Sequence, residues 1–397
     1  MQTPASPEIP ATEYRERRER AARFAHDRGL DALVVWGRGG TLDSFNDVHY
    51  FTAHYSPMVW VPPLSGFLTG CEHACVVISG EGVAVLFVSD FRSADVQVEE
   101  VRSAWDMAAA VASYLTEIGV DECSVGVVGQ EVLPYSVADQ LRSTLPSLRL
   151  EPADDISAQL RLRLSDAEVE MLKRAGAVGA RIYAELVAHV VPGVTEGEAI
   201  GAAWALASQI PDCAHWNFLS SSGPDADAIV KQSLPPWRPD RRYEAGDAVH
   251  ADCFGYVSGY SYDLARTVFA GGPQTHGQER IAAATAEAVE EASEALRPGV
   301  TSGAIRDAMS RALNARSLSA LSGSFGHAIG AGFFRPYLLP AGPDVHRPLE
   351  APFGFSLEVL ATDGEGNYAY HEDNYVVLSD RTICVTQVQL PSSQSWV

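Results

Sequence analysis

The stretch HADCFGYVSGYSYDLARTVFAGG, residues 250–272, decides how the chain folds around its chemistry. It predicts two strands joined by a glycine-rich turn, with Asp252 near the start of the first strand and Asp263 near the start of the second. Eleven residues separate the two aspartates. Across a hairpin, that spacing can bring two carboxylates side by side, both facing inward.

Three more polar residues lie in apolar surroundings farther along the chain. The segment Gly-His327-Ala-Ile-Gly carries a histidine, and Ser-Leu-Glu358-Val-Leu and His-Glu372-Asp-Asn-Tyr-Val-Val-Leu each carry a glutamate within a strand-like segment. An unpaired carboxylate inside such a strand would cost several kcal/mol. We therefore expect a cation beside each glutamate.

Four carboxylates and one imidazole can hold two divalent ions ~3.5–4 Å apart. Oxygen-rich ligation with one nitrogen suits Mn²⁺, Fe²⁺, Co²⁺ or Zn²⁺. Taken singly, each of the five residues could be structural, as a turn aspartate or a hydrogen-bonded core histidine. Taken together, they favour a site that makes water reactive and polarises a carbonyl.

A helix–PGVT–helix unit occurs twice after residue 158. The capping box Ser165-Asp-Ala-Glu168 predicts a long helix that ends near PGVT at residues 192–195. A second helix, predicted over 277–296, runs to PGVT at residues 298–301. The repeat indicates two related halves, so that a site at their seam can take ligands from both.

The part of the chain before residue 158 has a different pattern of secondary structure from the part after it. Strand-like segments (DALVVWG, ACVVIS, VAVLFV and SVGVVG) alternate with helical stretches such as 13–28 and 103–118, which is typical of an α/β domain. We predict an α/β domain over residues 1–157 and a larger α+β domain over residues 158–397.

Composition excludes several classes of function. The formal net charge of -22 argues against nucleic acid and anionic membranes as partners. No apolar run approaches the ~20 residues of a membrane span, and the N-terminus lacks the apolar segment of a signal peptide. Six scattered cysteines form no disulfide framework. We expect a cytoplasmic protein with reduced thiols that acts on a small-molecule substrate.

The sequence resembles the pita-bread metallohydrolase superfamily, which includes methionine aminopeptidase, prolidase and creatinase. The resemblance covers most of the chain and rests on RLRLSDAEVEMLKRAG, PGVTEGEAI, YEAGDAVHADCFGYVSGYSYDLARTVFAG, GHAIG and HEDNYVVL. It implies a pita-bread catalytic domain with an internal pseudo-twofold repeat, a creatinase-type N-terminal domain and a homodimer. The superfamily's ordered metal ligands correspond here to Asp252, Asp263, His327, Glu358 and Glu372.

The resemblance also implies a role for each ligand. Asp263 and Glu372 would bridge the two ions, and Asp252 would bind one of them. His327 and Glu358 would bind the other ion. Glu358 would also move protons.

The chain departs from the peptidases of the superfamily at two histidines that hold the peptide and move protons. No histidine lies between His215 and His250, and Arg335 stands eight residues after His327, where those relatives have a histidine. Arginine cannot move protons near neutral pH, because its pKa exceeds ~12. It can hold a carboxylate with two hydrogen bonds, so we predict that Arg335 anchors the substrate for catalysis.

Two further residues lie close to ligands in sequence. His250 precedes Asp252 by two residues, so the two share a strand face. We consider His250 as an extra ligand, a proton shuttle or a partner of Asp252, and equally as a buried structural residue. Tyr370 stands two residues before Glu372, where the superfamily frequently has arginine, and is a candidate substrate-binding residue.

Three residues complete the set of candidates. His215 and Asn217 are predicted to share one strand face and to line the substrate pocket. Arg38, in a Gly-Arg-Gly-Gly loop, is a candidate for reaching the site of a partner subunit, or else a solvated loop residue.

Four functions remain open on the sequence. The leading one is a metal-dependent hydrolase that cleaves a C–N bond of a small carboxylate-bearing molecule, as creatinase-like relatives do. The second is an Xaa-Pro dipeptidase, which the five ligands favour and the missing histidines disfavour. The third is a metal-dependent lyase that resembles dimethylsulfoniopropionate lyase, with His250 as an additional ligand. The fourth is a binding module without chemistry.

Overall fold

A computed structural model describes residues 8–40, 46–56, 73–89, 95–223, 226, 237–321, 324–337, 346 and 348–389, apart from the side chains of residues 216 and 333–337. The chain divides into two compact units, Met1–Arg161 and Leu162–Val397. The division falls a few residues beyond the boundary that the sequence predicts at residues 157–158.

The N-terminal unit is built on a six-stranded mixed sheet in the order β4-β3-β2-β1-β5-β6. The four strands predicted from apolar runs correspond to β1, β2, β3 and β5. The sequence did not predict β4 and β6, because these short edge strands are polar and largely exposed. The elements are α1 (Ala11–Asp27), β1 (Ala32–Arg38), α2 (Asp47–Thr52), β2 (His73–Ser79), β3 (Ala84–Val88), β4 (Glu100–Ser103), α3 (Met107–Glu117), β5 (Ser124–Val128), α4 (Tyr135–Thr144), β6 (Arg149–Pro152) and α5 (Asp154–Leu162).

The C-terminal unit contains helices and a large antiparallel sheet. Strands lie in the order β12-β11-β13-β14-β9-β8-β7, with β10 paired to β13 and β15 paired to β14. None of the described helices is long and apolar enough to cross a membrane. The elements are α6 (Asp166–Ala188), α7 (Glu196–Ala207), β7 (Cys213–Ser222), β8 (Ala248–Val257), β9 (Tyr260–Phe269), α8 (His276–Ser293), α9 (Ser302–Ala315), β10 (Ser319–Ala320), β11 (Gly326–Gly330), β12 (Gly332–Tyr337), β13 (Phe353–Thr362), β14 (Tyr368–Val377) and β15 (Thr382–Cys384).

The helices of this unit cover one face of the sheet. Gly179 of α6 lies against the ring of Tyr262, and Leu357 belongs to the core that α8 and α9 form on β13 and β14. Asp263 follows Tyr262, and Glu358 follows Leu357. Because side chains alternate along a strand, Asp263 and Glu358 point to the opposite face of the sheet. We call this opposite face the site face.

The PGVT repeat has the same structural role in both halves. Gly193 and Gly299 adopt left-handed φ angles of 92° and 81° as the chain leaves a helix. Thr195 and Thr301 then cap the N-termini of α7 and α9 with their side-chain oxygens. The capping box at Ser165 is also present. The predicted helix–PGVT–helix repeat is therefore confirmed.

The predicted hairpin of β8 and β9 is also present, and it sets the spacing of the two aspartates. Ser258 and Gly259 both have positive φ, as a two-residue hairpin turn requires. In the resulting register Asp252 pairs with Ala265, and Asp263 pairs with Phe254. The two carboxylates are therefore diagonal neighbours on one face rather than directly opposite.

The seam between the two halves is the contact of β9 with β14, and its backbone pairing is short. Only His371 with Arg266 and Glu372 with Ala265 are paired among the described residues. Beyond one end of this ladder, Asn374 uses its side-chain amide to accept from the Asp263 N–H at 2.8 Å and to donate to the Asp263 carbonyl at 2.5 Å. Side chains thus hold the seam where the backbone ladder stops.

Gly326, at the start of β11, lies where β11 approaches β13 closely. Its φ is 124°, and a Cβ there would overlap the backbone carbonyl of Ser356. We expect Gly326→Ala to destabilise the protein by about 2 kcal/mol or more, measured by urea unfolding. Gly364→Ala is the matched control, since Gly364 also has a positive φ but open space around it, and should cost about 1–2 kcal/mol. An equal loss in both variants would contradict the close approach.

Candidate metal centre

Three of the predicted ligands lie in one row across the site face. Asp252 of β8 is paired with Ala265 of β9, Ala265 with Glu372 of β14, and Glu372 with Glu358 of β13. The small side chain of Ala265 leaves space between the carboxylates on either side. Three acids that are distant in sequence therefore form one line across four strands.

The other two ligands lie in the adjacent row. Asp263 is held by Asn374, which is paired with Ser356, and Ser356 is paired with His327. The His327 Nε2 lies 3.3 Å from the Asp263 Oδ2. Asp263, His327 and Glu372 each offer a ligand atom, and these atoms lie within 4.8 Å of one another. The two rows bring the five predicted ligands to one place.

The four carboxylates have little contact with solvent. Glu372 is 1% exposed, Asp263 8% and Asp252 9%, whereas Glu358 is half-buried. Glu358 and Glu372 are directly opposite each other, an arrangement that destabilises a sheet when both are charged. Among the described residues, no arginine or lysine forms an ion pair with any of the four.

Two buried carboxylate oxygens show where positive charge is needed. The Oδ1 atoms of Asp252 and Asp263 have no hydrogen-bond partner among the described residues. Buried polar atoms are almost always satisfied, so an orphaned pair in one cluster requires an explanation. Divalent cations would satisfy both oxygens and offset the repulsion, so the residues present fit a metal centre.

Burial and mutual repulsion alter proton binding at this cluster. Burial, together with the charges of Asp263 and neighbouring glutamates, raises the pKa of Asp252 and of Glu372 well above the usual carboxyl range. Burial also raises the pKa of Glu358, although His327 and Tyr370 partly oppose this. Without cations the cluster therefore holds extra protons, which metal binding would release.

His327 is oriented as a metal ligand. Its Nδ1 lies 3.1 Å from the carbonyl oxygen of Ala328, which can only accept, so Nδ1 carries a hydrogen. In the neutral ring, the lone pair is then on Nε2, which faces Asp263. Burial lowers the pKa of His327, but its hydrogen bond to Asp263 and the nearby negative charge outweigh this and raise the pKa overall. A cation bound at Nε2 would take the place of the proton that a charged His327 carries there.

Sequence reasoning missed two residues that orient the ligands. Ser356 donates to the Glu372 Oε1 at 2.7 Å and accepts from the Asn374 Nδ2 at 2.8 Å. Each lies two residues from a predicted ligand, Ser356 from Glu358 and Asn374 from Glu372. A search for polar residues at this spacing on the ligand strands would have found both.

The structure places His250 and Tyr370 on the site face, in the row beyond Asp252 and Glu372. The His250 Nδ1 lies 2.6 Å from the Thr267 Oγ1 rather than against a ligand. The Tyr370 hydroxyl lies 2.7 Å from the Glu358 Oε2 and 3.0 Å from the Glu372 Oε2. Tyr370 therefore contacts the ligands themselves, a role that the sequence did not predict.

The prediction that His215 lines the pocket with Asn217 is wrong. A register shift between them adds one residue to β7, so His215 pairs with Gly255 and turns to the helix face. There its Nδ1 lies 2.6 Å from the Tyr262 hydroxyl, and its ring packs against Trp204. Burial lowers the pKa of His215 to about 4. It is a structural residue.

Three remaining residues lie outside the cluster or outside what the structure describes. Arg335 belongs to β12, and its side chain is outside the described residues, so its role stays a prediction. Arg38 is the last residue of β1 in the N-terminal unit, and its contact with a partner subunit also stays a prediction. His371 bonds to Asp373, which pairs with Arg266 on the helix face.

Comparison with known proteins identifies two family patterns along the chain. The pattern of metallopeptidase family M24 matches residues 170–380, and that of the creatinase/prolidase N-terminal domain matches residues 17–163. The first match contains all five predicted ligands and accounts for more than half of the chain.

Individual relatives agree with these patterns. The probable dipeptidase PepE of Mycobacterium bovis is 28% identical over 278 residues, which cover 64% of this chain and 71% of that protein. The structure of dipeptidase PepE from Mycobacterium ulcerans aligns with a TM-score of 0.75, 24% identity and coverage of 96% of this chain and 98% of that one. Prolidase from Pyrococcus horikoshii aligns with a TM-score of 0.72, 18% identity and coverage of 94% and 99%. These structures confirm the predicted pita-bread fold with its N-terminal domain.

The raised carboxyl pKa values predict how the metal-free protein responds to pH. The folded state holds more protons than the unfolded state, so its free energy of unfolding falls as pH rises above the unfolded carboxyl pKa of about 4. Asp252→Asn removes one repelling charge. In chelator at pH 8, we expect this variant to unfold at a higher urea concentration than wild type, with the difference shrinking towards pH 4.

The exposed Asp380→Asn is the control for that comparison and should show no such pH-dependent difference. A metal-free wild type that is more stable than Asp252→Asn at pH 8 would show that the buried carboxylates do not repel one another.

Proposed function

We propose, from the premise that the chain belongs to metallopeptidase family M24 and is a metallohydrolase, that it hydrolyses a C–N bond of a small carboxylate-bearing molecule. The ligands of two divalent ions would be Asp252, Asp263, His327, Glu358 and Glu372. The observation that carries the proposal is the clustering of four carboxylates on one sheet face, with two orphaned oxygens and, among the described residues, no arginine or lysine partner.

The contacts of Asp263 support its role as a shared ligand. Asp263 is the diagonal neighbour of Asp252 across β8 and β9, and on its other side its Oδ2 lies 3.3 Å from the His327 Nε2. Glu372 lies within ligand distance of Asp263 and His327. Asp263 and Glu372 would thus serve both ions, Asp252 one ion, and His327 and Glu358 the other. Manganese, iron, cobalt and zinc all suit this ligand set.

Bound divalent ions would lower the pKa of water and polarise the scissile carbonyl. Glu358 would move the proton, since it is the half-buried member of the cluster and the others are buried. The Tyr370 hydroxyl holds its Oε2 at 2.7 Å, which fixes the direction in which the other carboxylate oxygen points. From there Glu358 would accept a proton from water and donate it to the departing nitrogen.

Two features of the sequence support the proposed substrate class. Arg335, eight residues after His327, would remain charged at neutral pH and pair with a substrate carboxylate. No histidine between His215 and His250 is available for the peptide contacts expected of a prolidase-like enzyme. Both facts favour a small acidic amide over a longer peptide.

An Xaa-Pro dipeptidase is the second candidate. It is supported by the likeness to proteins described as dipeptidases and prolidases. A dipeptide also carries both an amide bond and a free carboxylate, so the two candidates require the same chemistry and differ in the shape of the pocket. We also propose a homodimer, testable by the molecular mass in solution.

Asp263→Ala tests the metal centre. Because Asp263 would contact both ions, we expect loss of bound metal and a fall in kcat of at least about 1,000-fold, with the fold retained by circular dichroism. Elemental analysis of the purified protein gives the metal content. Asp380→Asn, at the exposed surface, should keep both metal and activity. Wild-type activity in Asp263→Ala would contradict the mechanism.

Reaction in ¹⁸O-labelled water distinguishes the remaining chemistries. A panel of Xaa-Pro dipeptides and N-acyl amino acids is incubated with the Mn²⁺-loaded enzyme, and the products are analysed by mass spectrometry. Hydrolysis predicts one ¹⁸O atom in the new carboxylate. Turnover without label would indicate an eliminating lyase, and turnover restricted to Xaa-Pro dipeptides would establish the second candidate.

A further inference from the structure

We propose that Tyr370 is a positioning residue that holds Glu358 and Glu372 at a fixed spacing, and that Thr267 and His250 hold Tyr370 in turn. This inference rests on the proposed metal centre and adds to it a row of supporting side chains. The supporting row consists of His250, Thr267 and Tyr370, on β8, β9 and β14.

One hydroxyl contacts two of the carboxylates. The Tyr370 hydroxyl lies 2.7 Å from the Glu358 Oε2 and 3.0 Å from the Glu372 Oε2. Glu372 is also held at its other oxygen, where Ser356 donates at 2.7 Å. With a partner at each oxygen, the Glu372 carboxylate cannot rotate without losing a hydrogen bond. Glu358 is tied to Glu372 through the same phenol, whose single proton the two carboxylates share.

Tyr370 is itself held at the seam between β9 and β14. The backbone ladder of β9 and β14 includes Glu372 with Ala265 and His371 with Arg266, and Tyr370 lies just beyond it. There the Thr267 Oγ1 accepts the backbone N–H of Tyr370 at 2.6 Å. A threonine side chain thus replaces a backbone partner and fixes the strand position from which the phenol projects.

His250 contacts the Thr267 hydroxyl. Its Nδ1 lies 2.6 Å from the Thr267 Oγ1, and its side chain is 1% exposed. His250 and Thr267 are paired across β8 and β9, on the same face as Asp252. The buried imidazole therefore fixes the Thr267 hydroxyl, and its effect on the metal centre passes through Thr267 and Tyr370.

A neutral phenol suits this position between two ligands. It fixes their geometry without cancelling their charge, so the full negative charge remains available to the cations. Phenylalanine would fill the same volume but leave Glu358 and Glu372 free to rotate apart under their mutual repulsion. The loss should be seen in metal affinity and in proton transfer by Glu358, and not in substrate affinity.

Tyr370→Phe tests this arrangement. Titration calorimetry of metal-free protein with Mn²⁺ should show about 10- to 100-fold weaker binding than wild type, the usual effect of losing a residue that orients a metal ligand. With saturating metal, kcat should fall and KM should stay unchanged. The matched control is Tyr368→Phe, which removes the same oxygen from the same strand face two residues away and should bind Mn²⁺ as wild type does.

Thr267 variants test the same chain of contacts independently, and they decide the question if Tyr370→Phe fails to fold. Thr267→Val keeps the shape but removes the oxygen, so Mn²⁺ binding should weaken in the same direction. Thr267→Ser keeps the oxygen and should bind Mn²⁺ as wild type does.

Two outcomes overturn the inference in distinguishable ways. If wild type binds Mn²⁺, and the Mn²⁺ affinities of Tyr370→Phe and Thr267→Val lie within about twofold of the wild-type value, only the positioning role is refuted. Wild type that binds no divalent metal would refute the proposed function and this inference together.

Discussion

Mutual repulsion among four clustered carboxylates, three buried and one half-buried, is the constraint on which the C-terminal unit depends. Asp252, Asp263, Glu358 and Glu372 share one sheet face, and among the described residues no arginine or lysine forms an ion pair with any of them. Uncompensated charge in such a place costs far more than a hydrogen bond returns. Among the described residues, the side chains Ser356, Asn374 and Tyr370 orient the carboxylates without neutralising them, so bound cations would supply the compensating charge.

The architecture explains how residues so distant in sequence can meet. Antiparallel strands place one residue of each strand in a row, so a site can collect one ligand per strand along that row. The two halves supply different members, the aspartates on the β8–β9 hairpin and the histidine and glutamates on β11, β13 and β14. Because the cluster straddles the seam, side chains such as Asn374 and Thr267 serve both the joining of the halves and the support of the ligands.

Much of this could be predicted from the sequence, because the signals are local. A two-residue turn fixes the hairpin, period-two alternation assigns strand faces, and threonine caps mark the repeat. His215 was misassigned because one extra residue in β7 reverses the face, and alternation alone does not reveal a bulge. The support that Thr267 gives to Tyr370 was missed because it depends on which strands are neighbours, which no local pattern specifies.

Anomalous diffraction from crystals grown with Mn²⁺ tests the central claim most directly, since it locates the ions without reference to activity. The account predicts two anomalous peaks ~3.5–4 Å apart, one beside Asp252 and Asp263 and the other beside His327 and Glu358, with Glu372 between them. A map without a peak in contact with Asp263, in which the carboxylates instead share protons with one another, would contradict it.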